Sequence, residues 1–209
     1  MLPLIHAVTT DLVLSQPDFL DRARGVMRAL GERGAVHVRA RLLPAARVYE
    51  LTVALLPAQE RTGCWLVVND RLDIALAAPA QGAQLTSRSI TVADARSVVG
   101  DMPLGASVHA VDDAVAAAAS GADWVVAGHV FATPSKGMTP GRGVELVRGI
   151  VAAVRTPCIA IGGVRPEHLP ALRAAGVHGV AVIRGIWSAS DAERAATDYL
   201  SAYEPRHGQ

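Results

Sequence analysis

The chain has 209 residues, of which 51% are hydrophobic, 4% are aromatic and 19% are charged, and its formal net charge is +1. This length suits one α/β barrel domain, and so few aromatic residues leave Ala, Val, Leu and Ile to build the core. A net charge so close to zero provides no overall field that would attract nucleic acid or an anionic membrane. We therefore expect neither as a partner.

Cysteine usage and hydropathy predict a cytoplasmic location. Cys64 and Cys158 lack the spacing of metal ligands and stand in apolar runs, which is typical of buried free thiols in a reducing compartment. Residues 1–6 lack the basic and apolar segments of a signal peptide. The chain has no run of about 18 apolar residues, the length that would predict a transmembrane helix.

Short, β-branched apolar runs recur along the chain. They are almost continuously apolar rather than alternating, which is typical of strands buried on both faces of a parallel sheet. We predict strands at residues 4–9, 35–39, 64–69, 82–85, 104–108, 123–127, 158–161 and 179–183.

Helical patterns separate these runs. Pro44 and Pro166 suit the first turn of a helix, and Gly121 and Gly176 suit the position just past a helix end. We predict helices at residues 17–32, 44–61, 70–78, 92–99, 111–120, 144–154, 166–175 and 191–203.

The alternation of eight strands with helices predicts an α/β protein, a single (β/α)8 TIM barrel that spans residues 1–209. An open, doubly wound sheet is the alternative fold. We expect residues 204–209 to form a disordered tail.

The active site of such a barrel lies at the carboxyl ends of its strands, so the residues that end each strand are candidates. The second strand runs into His37, Arg39 and Arg41, which alternation places on one side. Two guanidinium groups there can hold a carboxylate or a phosphate. The third strand ends in Asn69 and Asp70, and an aspartate at this place either binds a metal ion or caps the next helix.

The fifth and sixth strands both end beside a histidine. Ser107 and His109 close the fifth strand, and His129 follows the sixth. The loop after His129 carries Thr133, Pro134, Ser135 and Lys136, the only lysine of the chain. An imidazole beside such a loop suits acid/base chemistry on an anionic substrate.

The seventh strand leads into Gly162 and Gly163, and the eighth leads into Ile183 and Arg184. Paired glycines between a strand and a helix let an anion approach backbone N–H groups. The loops after strands seven and eight often form a phosphate site in these barrels, so we predict one here.

These segments together resemble the thiamine phosphate synthase/TenI superfamily over nearly the whole chain. The resemblance rests on segments 36–39 (Val-His-Val-Arg), 66–75, 107–109, 121–125, 128–136 (Gly-x-Val-Phe-x-Thr-Pro-Ser-Lys), 161–163 and 180–183. It implies a barrel enzyme of thiamin biosynthesis whose substrate is a small phosphorylated thiazole.

Two branches of the superfamily differ at places that this chain shows. The synthase typically has Gly-Pro-Val-Phe where the thiazole tautomerase has Gly-His-Val-Phe, and this chain has His129. The synthase holds Mg²⁺ with two aspartates. Asp70 matches the first, but segment 85–89, where the second should fall, has no acid and contains Arg88. A positive charge beside a Mg²⁺ site weakens it, so we expect a TenI-like thiazole tautomerase.

The resemblance implies an isomerase that aromatises a dearomatised carboxythiazole phosphate by proton transfer, with His129 as the catalytic base and without a metal ion or other cofactor. The phosphate is expected on backbone N–H groups of the last two loops. The implied substrate-binding residues are Arg39, Thr133, Pro134, Ser135, Lys136, Gly163, Ile183 and Arg184. Further candidates are His37, Asn69, Asp70, Ser107, His109 and Gly162.

Two other functions stay open. The first is a thiamine phosphate synthase, which requires Mg²⁺ and joins a pyrimidine diphosphate to a thiazole phosphate. The second is a non-catalytic protein that binds thiazole phosphate and has a regulatory role. We also expect the protein to be a homo-oligomer.

Overall fold

The computed structural model describes residues 1–133, 137 and 139–204. Eight parallel strands form a closed barrel, in the order in which they occur along the chain. They are β1 (Ile5–Val8), β2 (Gly34–Val38), β3 (Trp65–Asn69), β4 (Gly82–Leu85), β5 (Leu104–Val108), β6 (Trp124–Gly128), β7 (Cys158–Ile161) and β8 (Gly179–Val182). The predicted (β/α)8 barrel is confirmed, and the open sheet is wrong because β1 pairs with β8.

Helices surround the barrel. They are α1 (Asp11–Leu14), α2 (Phe19–Leu30), α3 (Ala45–Thr62), α4 (Leu72–Ala77), α5 (Val92–Val99), α6 (Val111–Ala119), α7 (Gly143–Ala153), α8 (Leu169–Ala174), α9 (Arg184–Trp187) and α10 (Ala192–Tyr203). The predicted helix at 166–175 divides into a 3-10 turn and α8. The sequence analysis does not predict α1, a single turn whose N-cap residue Thr10 accepts a hydrogen bond from the backbone N–H of Val13. Within the described residues, no helix is long and apolar enough to cross a bilayer.

The inside of the barrel is filled around one large side chain, Trp124, which is fully buried. Its indole N–H donates a hydrogen bond to Oε1 of Gln84 at 2.8 Å, and the Gln84 amide N–H donates to Ser107 Oγ at 3.3 Å. Gly105 leaves the space for the indole, because a Cβ built there would lie 2.2 Å from the ring. The barrel is therefore closed around a polar layer beneath the carboxyl ends of β4, β5 and β6.

Both cysteines are buried and free, as predicted. Burial raises the pKa of the Cys64 thiol to about 12, and that of Cys158 likewise to about 12. The nucleophile in thiol modification is the thiolate. We therefore expect neither thiol to react with Ellman's reagent in the native protein at pH 8, whereas both should react in denaturant. Rapid labelling of the native protein would contradict this.

Candidate active site at the carboxyl ends of the strands

The carboxyl ends of all eight strands meet at one rim of the barrel, because every strand pairs in parallel with its neighbours. This rim holds the predicted residues that follow β2 and β3 on one side. Those that follow β7 and β8 are separated from them by β1 in one direction and by β4, β5 and β6 in the other. The predicted anion-binding residues therefore form two separate groups on one rim, one after β2 and β3 and the other after β7 and β8.

The loop after β2 is held by Asp11, a residue that the sequence analysis missed. The Asp11 carboxylate accepts hydrogen bonds from the backbone N–H groups of Arg41, Leu42 and Leu43 at 2.8–3.1 Å. Partial burial acts to raise the pKa of Asp11, but these backbone hydrogen bonds lower it below its ordinary value. The only signal in the sequence was an acid just after the first strand. The carboxylate fixes the backbone at Arg41.

Arg39 follows β2 directly and is half-buried. Its backbone N–H donates to Thr9 Oγ1 at 2.9 Å. Burial lowers the pKa of the Arg39 guanidinium, and the charges of Arg41 and Arg88 lower it further. The carboxylate of Asp70 opposes that effect. Arg41 and Arg88 therefore both lie close enough to Arg39 for their charges to act on its guanidinium.

Asp70 holds the turn that carries Arg88. Its Oδ1 accepts hydrogen bonds from Thr86 N–H at 3.0 Å, from Thr86 Oγ1 at 2.8 Å and from the hydroxyl of Ser89. Ser89 N–H also donates to Thr86 O at 3.1 Å, which closes the turn. Asp70 does not cap α4, whose N-cap residue is Arg71.

The residues around Asp70 do not fit a Mg²⁺ site. Mg²⁺ is usually held by one or two carboxylates together with substrate phosphates, in near-octahedral geometry. Asp70 is a single carboxylate, and three donors already occupy its Oδ1. The part of the chain that the structure describes contains no group of three His, Cys, Asp or Glu side chains able to hold a metal ion. Arg88 adds positive charge to the same turn.

His37 and Asn69 belong to a buried chain inside the barrel. His37 Nε2 lies 2.9 Å from His6 Nδ1, and His37 Nδ1 lies 3.0 Å from Asn69 Oδ1. His6 Nε2 donates to Pro3 O at 3.1 Å. Burial lowers the pKa of His37 to about 4 and lowers that of His6 well below its ordinary value. At neutral pH both rings are uncharged, so His37 is not an anion-binding cation at the rim.

His109 links β5 to β6. Its Nδ1 donates to Gly128 O at 2.7 Å, and its backbone N–H donates to Asp113 Oδ2 at 2.9 Å. Its carbonyl oxygen accepts from the Arg142 guanidinium. These contacts make His109 a support for the loop after β6. A cavity of about 390 Å³, partly lined by Ser107 and His109, lies between the loops after β4 and β5.

His129 is half-buried, and both its carbonyl oxygen and its ring have hydrogen-bond partners. Its carbonyl oxygen accepts from Arg142 N–H at 3.0 Å, and its ring Nε2 lies 3.4 Å from Thr139 O. Pro134, Ser135 and Lys136 of the following loop lie outside the described residues.

Gly162 and Gly163 are required by the loop after β6. Both have positive φ, at 100° and 65°. A Cβ at Gly163 would lie 2.4 Å from Ala132 O, and one at Gly162 would lie 2.3 Å from His129 Cβ. The paired glycines are therefore needed because the loop after β7 packs closely against the loop after β6. The sequence alone does not show this reason.

Arg184 connects the loop after β8 to the loop after β6. Its guanidinium donates to Thr133 Oγ1 at 3.4 Å, and it is the first residue of α9. Within the described residues, the backbone N–H groups of Gly163, Ile183 and Arg184 donate no hydrogen bond. This side of the rim therefore presents N–H donors and one guanidinium, which suits a phosphate.

Comparison with known proteins gives a consistent picture. The family model of thiamine monophosphate synthase (TMP-TENI) matches residues 6–186. The chain is 37% identical over 195 residues to the thiamine-phosphate synthase of Moorella thermoacetica, covering 92% of this chain and 91% of that protein. It is also 37% identical over 194 residues to that of Methanoculleus marisnigri, covering 92% and 91%.

A solved structure supports the same relationship. The thiamine phosphate pyrophosphorylase of Pyrococcus furiosus superposes with a TM-score of 0.83 at 29% identity, covering 96% of this chain and 95% of that one.

These relatives overturn the expected thiazole tautomerase. They are named thiamine-phosphate synthase and match almost the whole chain, so the isomerase assignment is wrong, and with it the proton-transfer role given to His129. That assignment rested on one residue after β6 and on the missing acid near Arg88. That inference gave two positions more weight than the similarity of the whole chain. A single position can change while the fold and the other rim residues stay the same. The chain belongs to the thiamine monophosphate synthase (TMP-TENI) family.

Proposed function

We propose that this protein is a thiamine-phosphate synthase, a transferase that joins a pyrimidine diphosphate to a thiazole phosphate. The observation that carries the proposal is the pair of separate anion-binding groups at two places on one rim. Arg39 and Arg41 follow β2, whereas Arg184 and the N–H groups of Gly163 and Ile183 follow β7 and β8. These two N–H groups donate no hydrogen bond to any residue that the structure describes. An enzyme with two phosphorylated substrates needs two such places.

The chemistry requires little from the protein beyond binding and charge stabilisation. The bond between the pyrimidine methylene carbon and the diphosphate oxygen breaks, and its electron pair leaves with the diphosphate. The lone pair of the thiazole nitrogen forms the new carbon–nitrogen bond. No proton has to move, so the proposal needs no general base. Cationic groups that face the leaving diphosphate stabilise the charge that develops on it.

We assign the diphosphate to Arg39 and Arg41, and the thiazole phosphate to Arg184 and the N–H groups beside it. Guanidinium groups hold phosphate oxygens in a bidentate fashion. Thr133 supports this assignment because its hydroxyl accepts from Arg184 and so orients the guanidinium. Orientation of both substrates in one mouth brings the reacting atoms together, which is a large part of catalysis of this type.

The test is a synthase assay with both substrates, in the presence of Mg²⁺ and in the presence of EDTA. We expect thiamine phosphate and diphosphate in equal amounts in at least one condition. Binding of the two substrates without product in either condition would contradict the proposal and favour a non-catalytic protein.

Two variants sharpen this assay. A hydrogen bond to a charged group contributes about 1.5–3 kcal/mol, or roughly 10- to 100-fold in affinity. Arg39→Gln should therefore raise KM for the pyrimidine diphosphate by about that factor and leave KM for the thiazole phosphate nearly unchanged, whereas Arg184→Gln should do the reverse. Arg155→Gln, at the opposite end of the barrel, is the matched control. Equal effects of the two variants on both KM values would contradict the two-site assignment.

A further inference from the structure

The turn after β4 places a third arginine beside the two that follow β2. The two ends of this turn, Thr86 and Ser89, are both hydrogen-bonded to Asp70 Oδ1. Arg88 lies between them, and its side chain is exposed. Since β2, β3 and β4 are neighbours in the barrel, this anchoring holds Arg88 on the same side of the rim as Arg39.

These three arginines differ from most others in the chain. Within the described residues, most arginine side chains form an ion pair or a hydrogen bond, as those of Arg22, Arg96 and Arg173 do. With the residues that the structure describes, the side chains of Arg39, Arg41 and Arg88 form neither. Their donors are therefore available to a ligand.

The two acids nearby do not neutralise this group by ion pairing. Asp11 is satisfied by backbone N–H groups, and Asp70 Oδ1 by the turn itself. Three unpaired guanidiniums beside two acids that are already hydrogen-bonded form a site for a polyanion. A divalent cation placed among them would be repelled by the same charges.

We propose that Arg88 completes a guanidinium site with Arg39 and Arg41 that binds the leaving diphosphate directly and takes the place of a divalent cation. This inference rests on the proposed function for the identity of the anion. A guanidinium offers five N–H donors and keeps its charge at any ordinary pH. Three of them can neutralise the charge that a diphosphate acquires as its carbon–oxygen bond breaks.

The experiment measures binding of inorganic diphosphate by calorimetry to the full-length protein, in EDTA and in Mg²⁺. We expect the wild type to bind diphosphate in EDTA, with an affinity that Mg²⁺ does not increase. Arg88→Gln should weaken binding in EDTA by about tenfold or more, and Arg155→Gln should leave it unchanged. Because Arg88 is exposed, its replacement should not alter thermal unfolding.

A second variant tests whether the Arg88 guanidinium takes the place of a divalent cation. Arg88→Asp places a carboxylate on the turn beside Asp70, so binding in EDTA should be lost and should return when Mg²⁺ is added. Wild-type binding that requires Mg²⁺, or equal affinity of Arg88→Gln and Arg155→Gln in EDTA, would overturn the inference. Wild-type affinity of Arg88→Asp in EDTA would also overturn it. Failure of the synthase assay alongside Arg88-dependent binding would instead overturn the proposed reaction.

Discussion

Gly105→Ala is expected to lower the free energy of unfolding by roughly 2–6 kcal/mol, the largest effect of any single substitution considered in this protein. A Cβ at this position would lie 2.2 Å from the indole ring of Trp124 and 2.3 Å from Gln84 Oε1. Both neighbours are buried inside the barrel, so neither can move into solvent. Overpacking costs about 1–3 kcal/mol, and loss of the hydrogen bond between Trp124 and Gln84 would leave a buried acceptor unsatisfied at a similar cost.

Urea unfolding followed by tryptophan fluorescence measures this loss. Gly149→Ala is the matched control, because a Cβ there meets only Val111 Cγ2 at 3.1 Å. Alanine is favoured over glycine inside a helix by about 1 kcal/mol, so this control should stay within about that amount of the wild type. If Gly105→Ala costs no more than Gly149→Ala, the account of how the barrel is filled is wrong.

The second large effect is on the dependence of stability on pH. The pKa of His37 is about 4 in the folded protein and returns to about 6.5 on unfolding. Between these values the unfolded chain binds more protons than the folded one. The stability that His37 contributes is therefore present above about pH 6.5 and is lost as the pH falls toward 4, by about 3 kcal/mol. His6 acts in the same direction.

The measurement is urea unfolding at several pH values between 4.5 and 7.5. Carboxylates such as Asp11 also lose stabilising interactions in acid, so the comparison of variants isolates the imidazoles. His37→Gln should reduce the dependence on pH by about half, whereas His109→Gln, at the rim, should retain it. An unchanged slope in His37→Gln would show that the buried pair does not titrate as described.

The strand ends were predictable because strands buried on both faces appear in the sequence as short, almost continuous apolar runs. Every strand boundary falls within one residue of its prediction, and the strand order of the barrel follows from the alternation with helices. The rim residues were predictable for the same reason, since a residue that follows a parallel strand must lie at the carboxyl end. Arg39, Asp70 and Arg184 were found in this way.

The partners of those residues were not predictable. Asp11 binds backbone N–H groups about 30 positions away, and Asp70 fixes a turn that begins 16 positions later. Hydrogen bonds of this kind form only when the barrel brings distant segments together, so no local sequence pattern predicts them. The weight placed on His129 failed for a related reason, because one residue in a loop says less about the reaction than the agreement of the whole barrel with its relatives.

The sequence by itself determined the fold class, the strand order and many of the residues at the rim, because periodicity and strand-end position are local properties of the chain. Only the tertiary structure decided how those residues are used. It placed His37 in a neutral buried pair, set Gly162 and Gly163 against a neighbouring loop, and anchored the Arg88 turn on Asp70. Each of these three arrangements depends on residues from different strands and loops that come together only in the folded barrel. Their burial and their charge state follow from those contacts.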